Sequence, residues 1–300
     1  MRIGVDLGGT KIEAIALAND GSIAVRRRVP TPREDYPASL DAIALLVEDV
    51  EREVGQRGSV GIGMPGTISP ATGRVKNANS TWLNGRPLHE DLERRLARPV
   101  RLANDANCFA LSEASDGAGA SARVVFGVIL GTGTGGGLVV DGRVLTGPNA
   151  IGGEWGHNAL PWPREDEWPG PSCYCGRTGC VETFLSGPGL ARAHERRTGE
   201  RLEAPVIGQR AEAGDEGCRR SLEEYANRLA RGLAMVINVV DPDMIVLGGG
   251  LSRLATLYRR VPEVWGAFVF SDRVDTRLAP PAHGDSSGAR GAAWLWGPTP

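Results

Sequence analysis

VVFGVILGTGTGGGLVVDGRVLT, residues 124–146, reads as a strand, a glycine turn, a second strand, an Asp-Gly turn and a third strand. Val124 to Leu130 is apolar and rich in β-branched residues, Gly131 to Gly137 is the turn, and Leu138 to Val140 resumes the apolar pattern. Asp141-Gly142 then forms a hairpin turn into Arg143 to Thr146. The start of the chain repeats this order: Arg2 to Leu7, Ile12 to Ala18 and Ile23 to Val29 read as strands, joined by Gly8-Gly9-Thr10-Lys11 and Asn19-Asp20-Gly21. Two such units, each followed by helices, predict duplicated α/β domains facing one another with a ligand between them.

The glycine turns suggest what that ligand carries. Small residues at Gly8 to Thr10 let backbone N–H groups and a hydroxyl approach phosphate oxygens, and Lys11 adds charge. The spacing is not that of a Walker A loop, and a strand follows, not a helix. An ordinary Gly-rich hairpin turn is the plain alternative. Gly248-Gly249-Gly250, after the apolar strand Met244 to Leu247, is likewise either an approach site for something flat or phosphorylated or a strand-to-helix turn.

Tyr36 to Gln56 has apolar positions at helical spacing, including Leu40, Ile43, Val47 and Val50, and predicts a covering helix. Val60 to Met64 is a strand, and Thr67 to Arg86 is polar and without periodicity, a long loop of the kind that carries function. Pro87 to Leu96 is a short helix, Val100 to Leu102 a strand and Asp105 to Asp116 a helix. Asn104-Asp105-Ala106-Asn107 stands at that last junction, where a carboxylate or amide serves as N-cap, as catalytic group, or as both. Farther on, Gly189 to Thr198 and Cys218 to Val240 are helical, Asp241-Pro242 stops the second of them, and Gly288 to Trp296 reads as a helix packing back on the first domain.

Cys173, Cys175 and Cys180 fall within eight positions, with His157 upstream and Glu154 and Glu182 at the ends of the stretch. Three thiolates and an imidazole are the ligand set of a closed tetrahedral structural zinc site, with no position left for a catalytic water. A Cys173–Cys180 disulfide would need an oxidising compartment, whereas MRIGVDLGG has no charged leader, apolar core or cleavage site and points to the cytoplasm. Cys108 and Cys218 stand alone and read as packing or surface residues.

With 34 basic and 36 acidic side chains, the net charge of -2 gives no field for nucleic acid or anionic lipid, and no apolar run reaches the roughly 18 residues that span a bilayer. The expected partner is a small molecule.

DLGGTK at 6–11, NDAN at 104–107, LGTGTGGG at 130–137, EWGH at 154–157, CYCGRTGCVE at 173–182 and VLGGG at 246–250 occur in the order found in the ROK family of sugar kinases and repressors, which the chain resembles over its whole length. Through KNANSTWLNG at 76–85, GHNALPW at 156–162 and HGDSSGARGAAWLW at 283–296 it is most similar to bacterial fructokinases of the manno(fructo)kinase type. The resemblance implies a duplicated actin-like ATPase fold shared with hexokinases, two lobes with ATP and sugar in a central cleft. Residues 1–117 would form a small α/β lobe completed by a C-terminal helix at 287–300, and residues 118–286 a large lobe carrying the zinc motif. Asp105 would be the base that takes the proton of the attacking sugar hydroxyl. Asn79, Asn104, Glu154, His157 and Glu182 would bind the sugar with it, one ring nitrogen of His157 holding zinc while the other faces the sugar. Gly8, Gly9, Thr10, Lys11, Thr132 and Gly133 would cradle the ATP phosphates, Asp6 would lie near Mg²⁺, and Gly248, Gly249 and Gly250 would approach the nucleoside.

These implications give an ATP-dependent kinase acting at the 6-hydroxyl of a hexose, with fructose the expected substrate and mannose next. N-acetylglucosamine is the alternative. Ser80 to Asn84 and Trp155 favour the smaller sugars if Trp82 and Trp155 fill the space of an N-acetyl group, although either tryptophan serves equally as core. A sugar-responsive regulator without catalysis is the reading from another class. It is opposed by Asp105, by the glycine turn and by the position of Asp6, which leaves no room for a helix-turn-helix ahead of it. A homodimer is left open. Because the glycine turns lie elsewhere in the chain, loss of the zinc is expected to disturb the sugar side and spare ATP affinity.

Overall fold

The computed structural model describes residues 1–297; residues 298–300, the end of the segment expected as a C-terminal helix, lie outside the described residues. The chain divides into two compact units. One comprises Met1–Ser121, Gly137–Gly152 and residues 283–297; the other comprises Ala122–Gly136 and Gly153–Ala282. The first division falls close to the expected 117/118 boundary, but the segment Gly137–Gly152 groups with the first unit instead of the second.

In the first unit the opening strands are β1 (Arg2–Leu7), β2 (Lys11–Leu17) and β3 (Ile23–Pro30), antiparallel as read from the hairpin signals. Helix α1 (Tyr36–Val54) starts on Asp35, whose side chain accepts from Ala38 N–H, and stops at Gly55 in the left-handed region. β4 (Ser59–Met64) follows. The polar stretch expected as a loop holds a short ribbon, β5 (Thr67–Ile68) with β6 (Val75–Lys76), and one 3-10 turn, Thr81–Leu83. Then come α2 (Leu88–Leu96), β7 (Val100–Asn104) and α3 (Asp105–Asp116). The sheet order is β3-β2-β1-β4-β7, with β1, β4 and β7 parallel, so their carboxyl ends point the same way and bring Asp6 and Asn104 to one end of the sheet. On one face α1 buries Ile43, Leu46, Val47 and Val50 in a core shared with Ile3, Val5, Ile62 and Leu92.

The second sheet begins with β8 (Val124–Leu130), β9 (Thr134–Val140) and β10 (Arg143–Val144). β9 starts four residues before the expected Leu138, so Gly135, Gly136 and Gly137 belong to a strand and not to the turn. Packing accounts for their lack of side chains. A Cβ on Gly136 would sit 2.8 Å from Phe126 Cζ, and one on Gly137 would sit 2.6 Å from Ala106 O and 2.9 Å from Ala110 Cβ. The chain continues through α4 (Val181–Leu185), α5 (Gly187–Thr198), α6 (Ala204–Glu212), α7 (Glu216–Val240), β11 (Met244–Gly248), α8 (Ala255–Trp265) and β12 (Arg277–Ala279). The sheet order is β10-β9-β8-β11-β12, the first sheet's arrangement of antiparallel start and parallel continuation.

Helix α9 (Ser287–Trp294) lies on the face of the first sheet opposite α1. It comes so close that a Cβ on Gly4 would run into Ala289 O and one on Gly61 into Ala292 O. Arg290 of α9 forms an ion pair with Asp116 at the end of α3, and Trp294 Nε1 donates to the same carboxylate at 3.2 Å. No helix of the described residues is long and apolar enough to cross a membrane.

Candidate active site and metal centre

His157 ends a single 3-10 turn, Trp155–His157, that starts on Glu154. The turn is anchored by Trp155, which is buried, packs edge-on against Phe126 at 5.9 Å and donates from Nε1 to Gly135 O at 2.9 Å. Trp155 is therefore core. The loop beyond doubles back through bridges of Ala159 with Cys180 and Ser172 with Thr178, and Cys173 N–H donates to Arg177 O. These pairings gather His157, Cys173, Cys175 and Cys180 so that their ligand atoms all lie within 4.8 Å of one another. Cys173 Sγ is 3.6 Å from His157 Nδ1, and Cys175 Sγ is 3.6 Å from Cys180 Sγ. A tetrahedral zinc with Zn–S of about 2.3 Å and Zn–N of about 2.0 Å sets its ligand atoms roughly 3.5–3.8 Å apart, so the residues fit that ion. All five cysteines are free thiols; Cys108 and Cys218 are buried away from the cluster.

The second nitrogen of His157, Nε2, lies 2.9 Å from the hydroxyl of Tyr174, a residue between two of the cysteines. The ring edge expected to face a sugar thus already has a partner.

The loop is also pinned from behind. Glu167 is 3% exposed, and its carboxylate accepts from Arg228 Nε at 2.7 Å and Arg231 Nη2 at 2.8 Å, both on α7. Arg231 Nη1 also donates to Trp162 O at 2.6 Å. Burial alone would push the Glu167 carboxyl up; the hydrogen bonds from Arg231, Arg164 N–H and Arg228 outweigh it and hold the group down at about 2.

Cys180 is the N-cap of α4, and Glu182 stands in that helix's first turn. Its Oε2 accepts from Thr134 N–H at 2.9 Å, and a Cβ on Gly133 would come within 2.7 Å of the same oxygen. At the other end of the turn Gly187 N–H donates to Gly131 O at 2.7 Å, and Gly131 N–H closes onto Gly133 O at 3.0 Å. Thr132 stands exposed on the crest.

In the first unit Asp105 is the exposed first residue of α3. Asn104 caps the helix: its Oδ1 accepts from Ala106 N–H at 2.9 Å, as does Asp105 Oδ1 at 2.8 Å, while Asn104 Nδ2 donates to Gly66 O at 3.1 Å. Cap and candidate base are thus adjacent residues. Asp6 ends near α9, where a Cβ on Gly288 would be 3.0 Å from its Oδ2. Burial pushes its carboxyl up to about 7, aided by the charges of Asp105 and Glu13 and opposed by Lys11. The turn that follows is held by Gly8 N–H to Lys11 O at 3.0 Å and by Thr31 Oγ1 to Gly8 O at 2.6 Å, and it leaves Gly9, Thr10 and Lys11 exposed. Asn79 is exposed beside Ala78, whose N–H and C=O are both bonded by the Asn84 side chain at 2.9 Å. Trp82 packs against the first unit's core.

In the second unit Gly248 ends β11, and Gly249 takes φ 80°, where a Cβ would strike Leu130 O. Gly250 has open space around it.

The structure therefore gathers the four metal-ligand candidates and sets Glu182 on the glycine turn, and it holds Asp6 within electrostatic reach of Asp105. Sequence reading missed Thr134, Tyr174 and the Glu167–Arg228–Arg231 group. Two arginines three apart on the apolar face of α7 were the available signal for the last.

The sequence matches the ROK family over residues 2–298, and the chain belongs to that family. It is 42% identical over 299 residues to an N-acetyl-D-glucosamine kinase of Escherichia coli O6:H1, covering 98% of this chain and 99% of that protein. Among solved structures, a ROK hexokinase from Thermus thermophilus superposes with a TM-score of 0.86 at 32% identity, covering 98% of this chain and 97% of the other. A ROK glucokinase from Streptomyces griseus, in complex with glucose and AMPPNP, gives a TM-score of 0.79 at 29% identity over 98% of both chains. The fold is the duplicated, actin-like α/β fold of the ROK hexokinases.

Proposed function

We propose that this chain is an ATP-dependent sugar kinase that phosphorylates N-acetylglucosamine at its 6-hydroxyl. The observation that carries the choice of sugar is the 42% identity, over nearly the whole of both chains, to a kinase of that sugar. Fructose was the sugar expected from sequence, partly because Trp155 was available to fill the space of an N-acetyl group. The burial of Trp155 against Phe126 and its bond to Gly135 remove that argument.

In this reading Asp105, exposed at the start of α3 and held by Ala106 N–H on its Oδ1, accepts the proton of the attacking hydroxyl. Asn104 Nδ2 keeps one N–H beyond its bond to Gly66 O, and Asn79, Glu154, His157 and Glu182 bind the other sugar hydroxyls. Gly8 to Lys11 and Thr132-Gly133 present N–H groups and a cation to the ATP phosphates, Asp6 stands near their Mg²⁺, and Gly248 and Gly249 allow the nucleoside to approach. His157, Cys173, Cys175 and Cys180 hold a zinc whose chemistry is structural, because four protein ligands leave it no open position. Phosphoryl transfer of this kind is a matter of positioning and charge stabilisation.

The test is ATP consumption with N-acetylglucosamine, glucose, mannose and fructose side by side. The expected result is the highest kcat/KM with N-acetylglucosamine. A preference for fructose would restore the earlier expectation, and sugar binding without ATP turnover would point to a regulator.

A further inference from the structure

We infer that Glu182, besides binding the sugar in the reading above, is through its Oε2 a positioning residue that ties the metal cluster to the glycine turn, so that losing either the metal or this carboxylate weakens nucleotide binding. The inference rests on the kinase reading above and goes beyond it, because it reverses the expectation that the metal serves only the sugar side.

The connection is short and covalent on one side. Cys180 is a metal-ligand candidate and at the same time the N-cap of α4, and two residues later the Glu182 backbone is already helical. Fixing the Cys180 sulfur therefore fixes the start of the helix, and with it the direction in which Glu182 leaves the backbone. The carboxylate then reaches Thr134 N–H at 2.9 Å, an ionised acceptor on a backbone donor, which is stronger than a neutral hydrogen bond. Thr134 is 5% exposed, so water does not readily replace that partner. The far end of the turn is gripped by Gly187 N–H on Gly131 O, just past the other end of α4. One end of the turn thus hangs on α4, whose N-cap is a metal-ligand candidate, and the other on the first residue of α5, one residue beyond α4's C-cap Ser186. A Cβ on Gly133 would come within 2.7 Å of the Glu182 oxygen, so a side chain there would push the carboxylate off its bond to Thr134.

The experiment measures affinity for Mg²⁺·AMPPNP without sugar, together with bound metal and amide exchange. Glu182→Ala should keep its metal and lose about tenfold in nucleotide affinity, because one charge-assisted bond is gone. Glu182→Gln keeps an acceptor for Thr134 N–H and should stay within about threefold of wild type. Chelator-treated wild type, folded by circular dichroism, should weaken as much as Glu182→Ala and lose protection at the Thr134 amide, and chelating Glu182→Ala should add nothing more. Wild-type nucleotide affinity in metal-replete Glu182→Ala, or unchanged Thr134 protection after chelation, would overturn the inference. Should Glu182→Ala fail to fold, the exchange arm on wild type still decides. A wild-type protein that bound no nucleotide would refute the kinase reading while leaving the exchange result to judge the coupling.

Discussion

His157 Nε2 lies 2.9 Å from the Tyr174 hydroxyl while Nδ1 faces Cys173 Sγ at 3.6 Å. A metal on Nδ1 leaves the proton on Nε2, which then donates to Tyr174. Tyr174 is 82% exposed, so it can swing away at little cost. A sugar oxygen that accepts a hydrogen bond from Nε2 has to displace the phenol. Tyr174→Phe should therefore keep one metal per chain and lower the KM for N-acetylglucosamine by up to about fivefold, the worth of one hydrogen bond, with kcat little changed. A raised KM would mean that the hydroxyl itself binds the sugar.

Asp105→Asn retains the shape of the helix start and should fold normally, since Asn104 still caps α3. Turnover should fall on the order of 10²- to 10⁴-fold, with sugar affinity far less affected. Steady-state kinetics and direct sugar titration check this together; near-normal kcat would remove Asp105 from the role.

Asp6 makes stability depend on pH. Its folded carboxyl keeps a proton up to about 7, whereas an unfolded aspartate releases it near 3.8. The folded state thus binds more protons between those values, and stability falls as pH rises through the window, with the penalty complete above it. Asp6→Asn cannot ionise. Its stability advantage over the parent should open between pH 4 and pH 7 at up to about 1.4 kcal/mol per unit and then level off, as read from denaturant unfolding. A gap independent of pH would show that Asp6 is not the titrating group.

Glu167 acts in the opposite sense. Its folded carboxyl is held at about 2, below an ordinary value of 4.5, so its contribution is present above the latter and is lost as pH falls toward the former. Glu167→Ala strands two buried arginines and should lose roughly 3–5 kcal/mol at pH 7. The difference from the parent should shrink in unfolding measurements at pH 3. The less drastic Glu167→Gln should show the same trend from a smaller starting loss.

Sequence alone determined the features whose physics is local. Cys173, Cys175 and Cys180 span eight residues, so their grouping as a metal-ligand candidate set was legible without any fold. The apolar runs at β1, β2, β8 and β9, broken by glycine and Asp-Gly turns, gave both antiparallel openings, because so tight a turn can join only neighbouring antiparallel strands. The start of a helix at Asn104-Asp105 was visible, while the structure chose Asn104 as its cap. Tertiary structure alone decided which groups meet across long stretches of chain. Glu182 finds Thr134 from 48 positions away, and Arg228 finds Glu167 from 61, so no local pattern marks either pair. Composition near Trp155 left its role open between substrate wall and core; the strand glycines beneath it made room for the ring, and burial chose the core. The carboxyl of Asp6 is displaced by burial and by charges contributed from β2 and α3, and those surroundings exist only once the strands are assembled.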